Sequence, residues 1–142
     1  MAENFDAPKF VRLNEGWNAD PNDPGLQVSV DSDVLTAQIR PNVFVYPSFQ
    51  SIETIEIRFA GCSRYRVTPI DDEGWYRGQC RFSGLAPDWG EFYEIFGDTV
   101  DAMQPAPWID ADGQGTRHFH FFLRDETLEV KAQDWSMRSI DG

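Results

Sequence analysis

The chain contains few cysteines and no long apolar segment. Its 142 residues include two cysteines, Cys62 and Cys80, which are too few for a disulfide framework and are expected to be reduced thiols. No apolar stretch approaches the length that spans a membrane, and no apolar run follows a basic start as it does in a secretory signal. We therefore expect a cytoplasmic protein.

Positive charge is also scarce. Twelve Lys and Arg residues stand against 24 Asp and Glu residues, which gives a formal net charge of -12. A surface this acidic repels nucleic-acid phosphates and anionic lipid, so neither nucleic acid nor a membrane is an expected partner. The same surface attracts a basic protein. The first functional hypothesis is therefore a non-catalytic, acidic binding protein with a basic partner.

The usual catalytic motifs are missing from the sequence. There is no GxSxG nucleophile motif and no phosphate-binding P-loop. Only two histidines occur, His118 and His120, and their spacing of two places both rings on one side of a strand, where Glu129 of the next strand would join them. Zinc sites ordinarily need three or four protein ligands, so we predict no metal, no cofactor and no catalytic residue. A metal-dependent hydrolase at the two histidines remains an alternative.

Alternation of apolar and polar residues with a period of two fills most of the chain and predicts an all-β fold. In the first hairpin, with a turn at residues 31–34, the pattern pairs Val28 with Ala37 and Val30 with Leu35. The strand around residues 52–59 alternates in the same way. By contrast, residues 10–25 are rich in Asn, Asp, Pro and Gly and predict an irregular wrap, and residues 42–46 predict an edge strand or corner.

A later hairpin, within residues 117–135, is predicted with Leu123 opposite Leu128 and Arg117 opposite Asp134. Because no segment has a convincing helical period, we predict a single antiparallel meander of seven or eight strands with little helix. Such a sheet avoids exposed edges either by forming a barrel-like, calycin-like fold or by curling into a sandwich. Residues 1–9 are predicted to be a flexible leader and residues 10–142 a single β domain.

The basic residues concentrate in one segment, residues 64–82, which we call the arginine hairpin. With a turn at residues 71–74, alternation puts the apolar side chains on one face and four guanidinium groups on the other. Like charges so close repel unless an anion lies among them. The predicted ligand-binding residues are therefore Arg64, Arg66, Arg77 and Arg81.

Two further hypotheses follow from the arginine hairpin. If its basic face points into the fold, the protein is a β-barrel that clamps a small anionic ligand. If instead its arginines pair with acids on neighbouring strands, they are only structural. The candidate acids for this pairing are Glu53, Glu56, Glu91 and Glu94.

Four segments carry a resemblance to known proteins: WNADPN at 17–22, DDEGWYRGQCRF at 71–82, APDWGEFYEIFGD at 86–98 and RHFHFFLRDETLEVKAQDW at 117–135. In these segments the chain resembles a group of small, uncharacterised bacterial cytoplasmic proteins. In size, acidity and β patterning it is also similar to immunity proteins of bacterial toxin systems. These resemblances imply an interaction protein of a bacterial cytoplasm and assign no site residue.

Overall fold

The computed structural model of the protein describes residues 9–69, 90–97, 107–124 and 126–141. This part of the chain is all-β, and its one helical element is a single 3₁₀ turn at Pro47–Phe49. The ten strands are β1 (Lys9–Arg12), β2 (Gln27–Asp31), β3 (Val34–Ile39), β4 (Ile52–Ala60), β5 (Arg64–Thr68), β6 (Phe92–Phe96), β7 (Ile109–Asp110), β8 (Arg117–Phe122), β9 (Thr127–Ala132) and β10 (Asp134–Asp141).

The strands form two antiparallel sheets. One has six strands in the order β1-β6-β8-β9-β5-β7, and the other has four in the order β10-β4-β3-β2. After β9 ends at Ala132 the chain passes into β10, so consecutive strands belong to different sheets. The predicted all-β class is confirmed. Of its two variants, the described strands form a curled sandwich, and they close into no barrel.

The core lies between the two sheets and is aromatic at its centre. Phe92 has no exposed surface; it stacks on Phe121 at a centroid distance of 5.2 Å and meets the edge of Trp135 at 5.2 Å. Trp17, which lies in the segment predicted to be an irregular wrap, is also part of this core and is 4% exposed. Large rings fill the space between sheets efficiently because each removes a large apolar area from water.

The first hairpin has the predicted register. Val28 pairs with Ala37 and Val30 with Leu35. The two-residue turn requires a positive φ, and Ser32 adopts it at 57°. The apolar side chains of β3 and β4 that the alternation assigned to the core are buried as predicted: Leu35, Ala37, Ile39, Ile55, Ile57 and Phe59.

The register of the later hairpin differs from the prediction by two residues. Phe121, and not Leu123, lies opposite Leu128, and Arg117 lies opposite Ala132 rather than Asp134. A shift of two keeps every side chain on its predicted face, so the alternation alone could not distinguish the two registers. The turn between β8 and β9 distinguishes the two registers. Leu123 belongs to this turn and not to the strand, and its backbone N–H donates to Glu126 O at 2.9 Å.

Two other segments differ from their predictions, and at a third one of the two predicted alternatives is found. Lys9–Arg12 forms the strand β1 at one end of the six-stranded sheet, although residue 9 was assigned to the leader and residues 10–12 to an irregular wrap. Residues 43–45 form a turn, which agrees with the corner and not with the edge strand predicted for residues 42–46, and Phe44 is 71% exposed. The strand β10, along the whole of β4, was not predicted. Both strands are held by partners far away in sequence.

Within the described ranges, no helix is long and apolar enough to cross a bilayer.

Candidate functional site

The six-stranded sheet has a second face, turned away from the aromatic core, which is polar and largely buried. Its residues occupy the alternate positions of β5, β6, β8 and β9, where the period of two directs their side chains opposite to the core. We call this surface the polar face. Nine of its members are at most 4% exposed: the seven with a polar group, Arg66, Thr68, Tyr93, His118, His120, Thr127 and Glu129, and the apolar Ile95 and Phe122.

A three-residue ionic network lies at the centre of the polar face. The Arg66 guanidinium donates from Nε to Glu129 Oε1 at 2.7 Å, and the other carboxylate oxygen accepts a hydrogen bond from His118 Nε2. A carboxylate can only accept, so the hydrogen of the second bond is on Nε2 of the imidazole. Burial of an arginine and a carboxylate is costly, and here their mutual contact compensates each charge.

Trp108 connects this network to half-exposed cations. The guanidinium carbon of Arg66 lies 3.9 Å from the centroid of the Trp108 ring, and that of Arg64 lies 4.4 Å from it. Lys131, which pairs with Arg64 across β5 and β9, has its Nζ 6.0 Å from the same centroid. The indole ring therefore holds two guanidinium groups by cation–π contact and lies near a third cation.

The predicted arginine site is only partly within the described residues. Arg64 and Arg66 occupy the same face of β5, as the alternation predicted. Arg77 and Arg81, together with the turn at 71–74 and the second strand of the arginine hairpin, lie outside the described residues. Among the described strands, β5 pairs with β9 over its full length and with β7 at its beginning.

The two arginines of β5 have different environments. Arg66 is ion-paired with Glu129, which sequence reasoning had placed beside the histidines and not beside Arg66. Arg64 forms no ion pair with any residue that the structure describes, and Asp110, its neighbour across β7, is exposed. The structural explanation thus applies to Arg66, while Arg64 has no carboxylate partner among the described residues.

Three of the four acids that were candidates to pair with the arginine hairpin have other partners among the described residues, while the exposed Glu53 forms no hydrogen bond or ion pair with them. Glu56 accepts from Arg138 Nε at 2.6 Å, and this contact holds the pKa of the Glu56 carboxyl below its usual value. Glu94 accepts two bonds of 2.9 Å from Arg117, and these raise the pKa of the guanidinium. Glu91 contacts Arg12, at 3.4 Å.

A cavity of about 360 Å³ adjoins the polar face where β6, β8 and β9 meet. Its wall includes His118 of the ionic network, the half-buried Lys131, and Arg117 with its partner Glu94. Lys131 thus lies both at this cavity and near Trp108. The basic side chains of Arg64, Arg117 and Lys131 consequently lie together at one edge of the buried ionic network.

The two histidines lie side by side on β8, as predicted. Their rings are nearly parallel, at an interplanar angle of 18°, with centroids 6.5 Å apart. His118 is bound to Glu129, and the charged Arg66 lies on the other carboxylate oxygen. Across residues 9–69, 90–97, 107–124 and 126–141, no group of three or more His, Cys, Asp or Glu side chains has an arrangement that could hold a metal ion.

Of the two cysteines, Cys62 lies within the described residues and is a free, fully buried thiol. Burial raises its pKa to about 11, so the thiol stays protonated at neutral pH and is a poor nucleophile. Cys62 is part of the hydrophobic core and not of the polar face.

Comparison with protein-family models, with curated proteins and with solved structures found no match to this chain.

Proposed function

We propose that the protein is a non-catalytic binding protein for a small anion, which it holds at Arg64 and Lys131 beside Trp108. The observation that carries the proposal is the placement of these two cations directly opposite each other across β5 and β9. Like charges in directly opposed positions destabilise a sheet, and an anion between them removes that cost. Arg64 has no carboxylate partner among the described residues, and the anionic ligand supplies one.

The local charge favours the same class of ligand. Among the described residues, Glu129 pairs with Arg66, and the neighbouring Arg64 adds a guanidinium group that no described carboxylate pairs. A guanidinium group binds a carboxylate or phosphate through two parallel hydrogen bonds. The adjacent cavity gives such a ligand room next to Lys131.

We expect the substitution Arg64→Gln to abolish the site-specific part of the stabilisation by anions while leaving the fold intact. Inorganic phosphate and citrate, added separately to the wild-type protein, should raise the melting temperature, since a ligand at a hundredfold excess over its Kd stabilises by about 2.7 kcal/mol. Arg64→Gln should lose this increase because it removes the guanidinium group that forms no ion pair with any described residue. Differential scanning fluorimetry measures both effects.

The matched control is Arg58→Gln, which removes an exposed arginine from β4 in the other sheet. Phosphate and citrate also stabilise proteins non-specifically by exclusion from the surface, and that part of the effect should be equal in all three proteins. An identical response of the wild type, Arg64→Gln and Arg58→Gln would refute the anion site.

A second proposal, an immunity-type interaction with a basic protein, is supported by a different observation. The backbone N–H of Asp112 donates to Ser32 O at 3.2 Å, which joins the β2–β3 turn to the loop before β8. The exposed side chains of Asp31, Asp33 and Asp112 are therefore gathered at one end of the sandwich. Such a concentration of negative charge accelerates encounter with a cationic partner.

For this second proposal we expect the double substitution Asp31→Asn/Asp112→Asn to weaken the binding of an oligolysine peptide more than the charge-matched Glu15→Gln/Glu53→Gln does. The latter pair is also exposed but lies elsewhere on the chain. Titrations at two salt concentrations, followed by fluorescence anisotropy, measure the difference. Equal weakening by both doublets would show that only net charge matters and would refute a localised acidic interface.

A further inference from the structure

A second cavity, distinct from the polar face, lies where the N-terminal wrap meets the β8–β9 turn. Its volume is about 230 Å³, and its walls include Asn18, Asp20, Pro21, Asn42, Phe122 and Arg124. Three of these residues belong to the WNADPN segment, for which the proposed anion site has no role. The segment is held in place by backbone bonds of 2.8 Å from Asp20 N to Arg40 O and from Asn42 N to Asn18 O.

Asn42 provides a hydrogen-bond donor to this cavity. The residue is only 8% exposed, and its Oδ1 accepts hydrogen bonds from the backbone N–H groups of Phe44 and Val45 at 3.0 and 3.1 Å. These two bonds determine the orientation of the Asn42 amide, because two backbone donors can face the oxygen Oδ1 but not the NH₂ group. The Nδ2 group donates to no residue that the structure describes, which leaves it for water or for a bound molecule.

Asp20 provides an acceptor. Its Oδ1 accepts from the backbone N–H groups of Asn22 and Asp23, at 2.8 and 3.1 Å. Within the described ranges its Oδ2 has neither a hydrogen bond nor an ion pair. In both side chains the Oδ1 atom therefore binds the backbone of its own loop. The second group, the NH₂ of Asn42 and the Oδ2 of Asp20, can bind another molecule.

From these groups we propose that the cavity binds a small, neutral polyhydroxylated compound of monosaccharide size. The described part of the cavity wall holds one acidic and one basic side chain, Asp20 and Arg124, and therefore no excess of either charge, which favours a ligand without net charge. A hydroxyl group both donates and accepts, and thus it matches a lining that offers a donor and an acceptor. The volume is below the roughly 300 to 1,000 Å³ of drug-sized sites, which limits the ligand to one ring.

The test is a titration of the full-length protein with D-glucose, D-galactose, D-mannose and myo-inositol, followed by ¹⁵N–¹H spectra. We expect at least one of these compounds to shift the side-chain NH₂ resonances of Asn42 in a saturable way. The variants Asn42→Asp and Asp20→Asn should each weaken binding by about tenfold. Each keeps the Oδ1 acceptor that organises the loop and exchanges only the group left for the ligand, so the melting temperature should change little.

The charge-matched control is Gln27→Glu, an exposed amide-to-acid change on β2, which should leave affinity unchanged. Glycine and L-serine test the alternative of a zwitterionic ligand held between Asp20 and Arg124. Binding of these amino acids without binding of any polyol would overturn the assignment. The absence of a saturable shift with every polyol, or equal affinity in the wild type and both variants, would overturn the site itself.

Discussion

Replacing Glu129 by methionine is expected to lower the free energy of unfolding by about 3 to 5 kcal/mol. Glu129 is 1% exposed and is the common partner of Arg66 and His118, which are themselves 3% and 4% exposed. Its loss leaves a buried guanidinium without the carboxylate that compensates its charge, and this penalty exceeds the energy of an ordinary hydrogen bond. Urea denaturation, read by tryptophan fluorescence, measures the change.

Two comparisons make this result specific to the buried pair. In the double variant Arg66→Met/Glu129→Met both charges are absent, so much of the lost stability should return. The variant Glu56→Met breaks a pair whose arginine, Arg138, is 71% exposed, and it should cost less than about 1 kcal/mol. If Glu129→Met costs no more than Glu56→Met, the ionic network contributes nothing to stability.

The substitution Phe92→Ala should be similarly destabilising, by about 3 to 5 kcal/mol, for a different reason. Phe92 is fully buried and contacts rings from both sheets: Phe121 in the six-stranded sheet and Trp135 in the four-stranded sheet. Truncation to alanine removes the ring from the centre of the core and leaves a cavity that neither sheet can fill alone. Urea midpoints, with the slope of unfolding checked for constancy, give the change in free energy.

The control for this prediction lies on the same strand. Phe96, at the end of β6, is 48% exposed, and its replacement by alanine should cost about 1 kcal/mol or less. A comparable loss in the two variants would mean that the effect comes from the strand propensity of phenylalanine, and not from packing between the sheets.

The proposed anion site shows which features of a site the alternation of residues along a strand can predict and which it cannot. The alternation placed Arg64 and Arg66 on one face of a strand, and the structure places them there. The pairing of Arg66 with Glu129, across 63 residues of sequence, has no local signal. Without it the two arginines looked equivalent, whereas in the folded protein Arg66 is ion-paired with Glu129 and Arg64 has no ion pair with any described residue.

The polar cavity at Asn42 could not have been found from the sequence. Asn18, Asp20 and Asn42 are ordinary turn-forming residues, and their loop-capping bonds explain why they occur there. Only the folded chain brings the WNADPN segment next to Phe122 and Arg124, about a hundred residues later. The cavity therefore exists as a consequence of packing between remote segments.

By itself the sequence determined the faces of the strands, because side-chain direction in a strand depends only on position parity. It therefore predicted the all-β class and the buried sides of β3 and β4. The tertiary structure alone decided which strands remote in sequence are neighbours: β5 beside β9, and β10 beside β4. A shift of the register by two residues leaves every side chain on the same face, so the alternation of residues cannot distinguish the two registers. The register and the choice of neighbouring strands are instead decided by the closure of turns and by packing between segments that are distant in sequence.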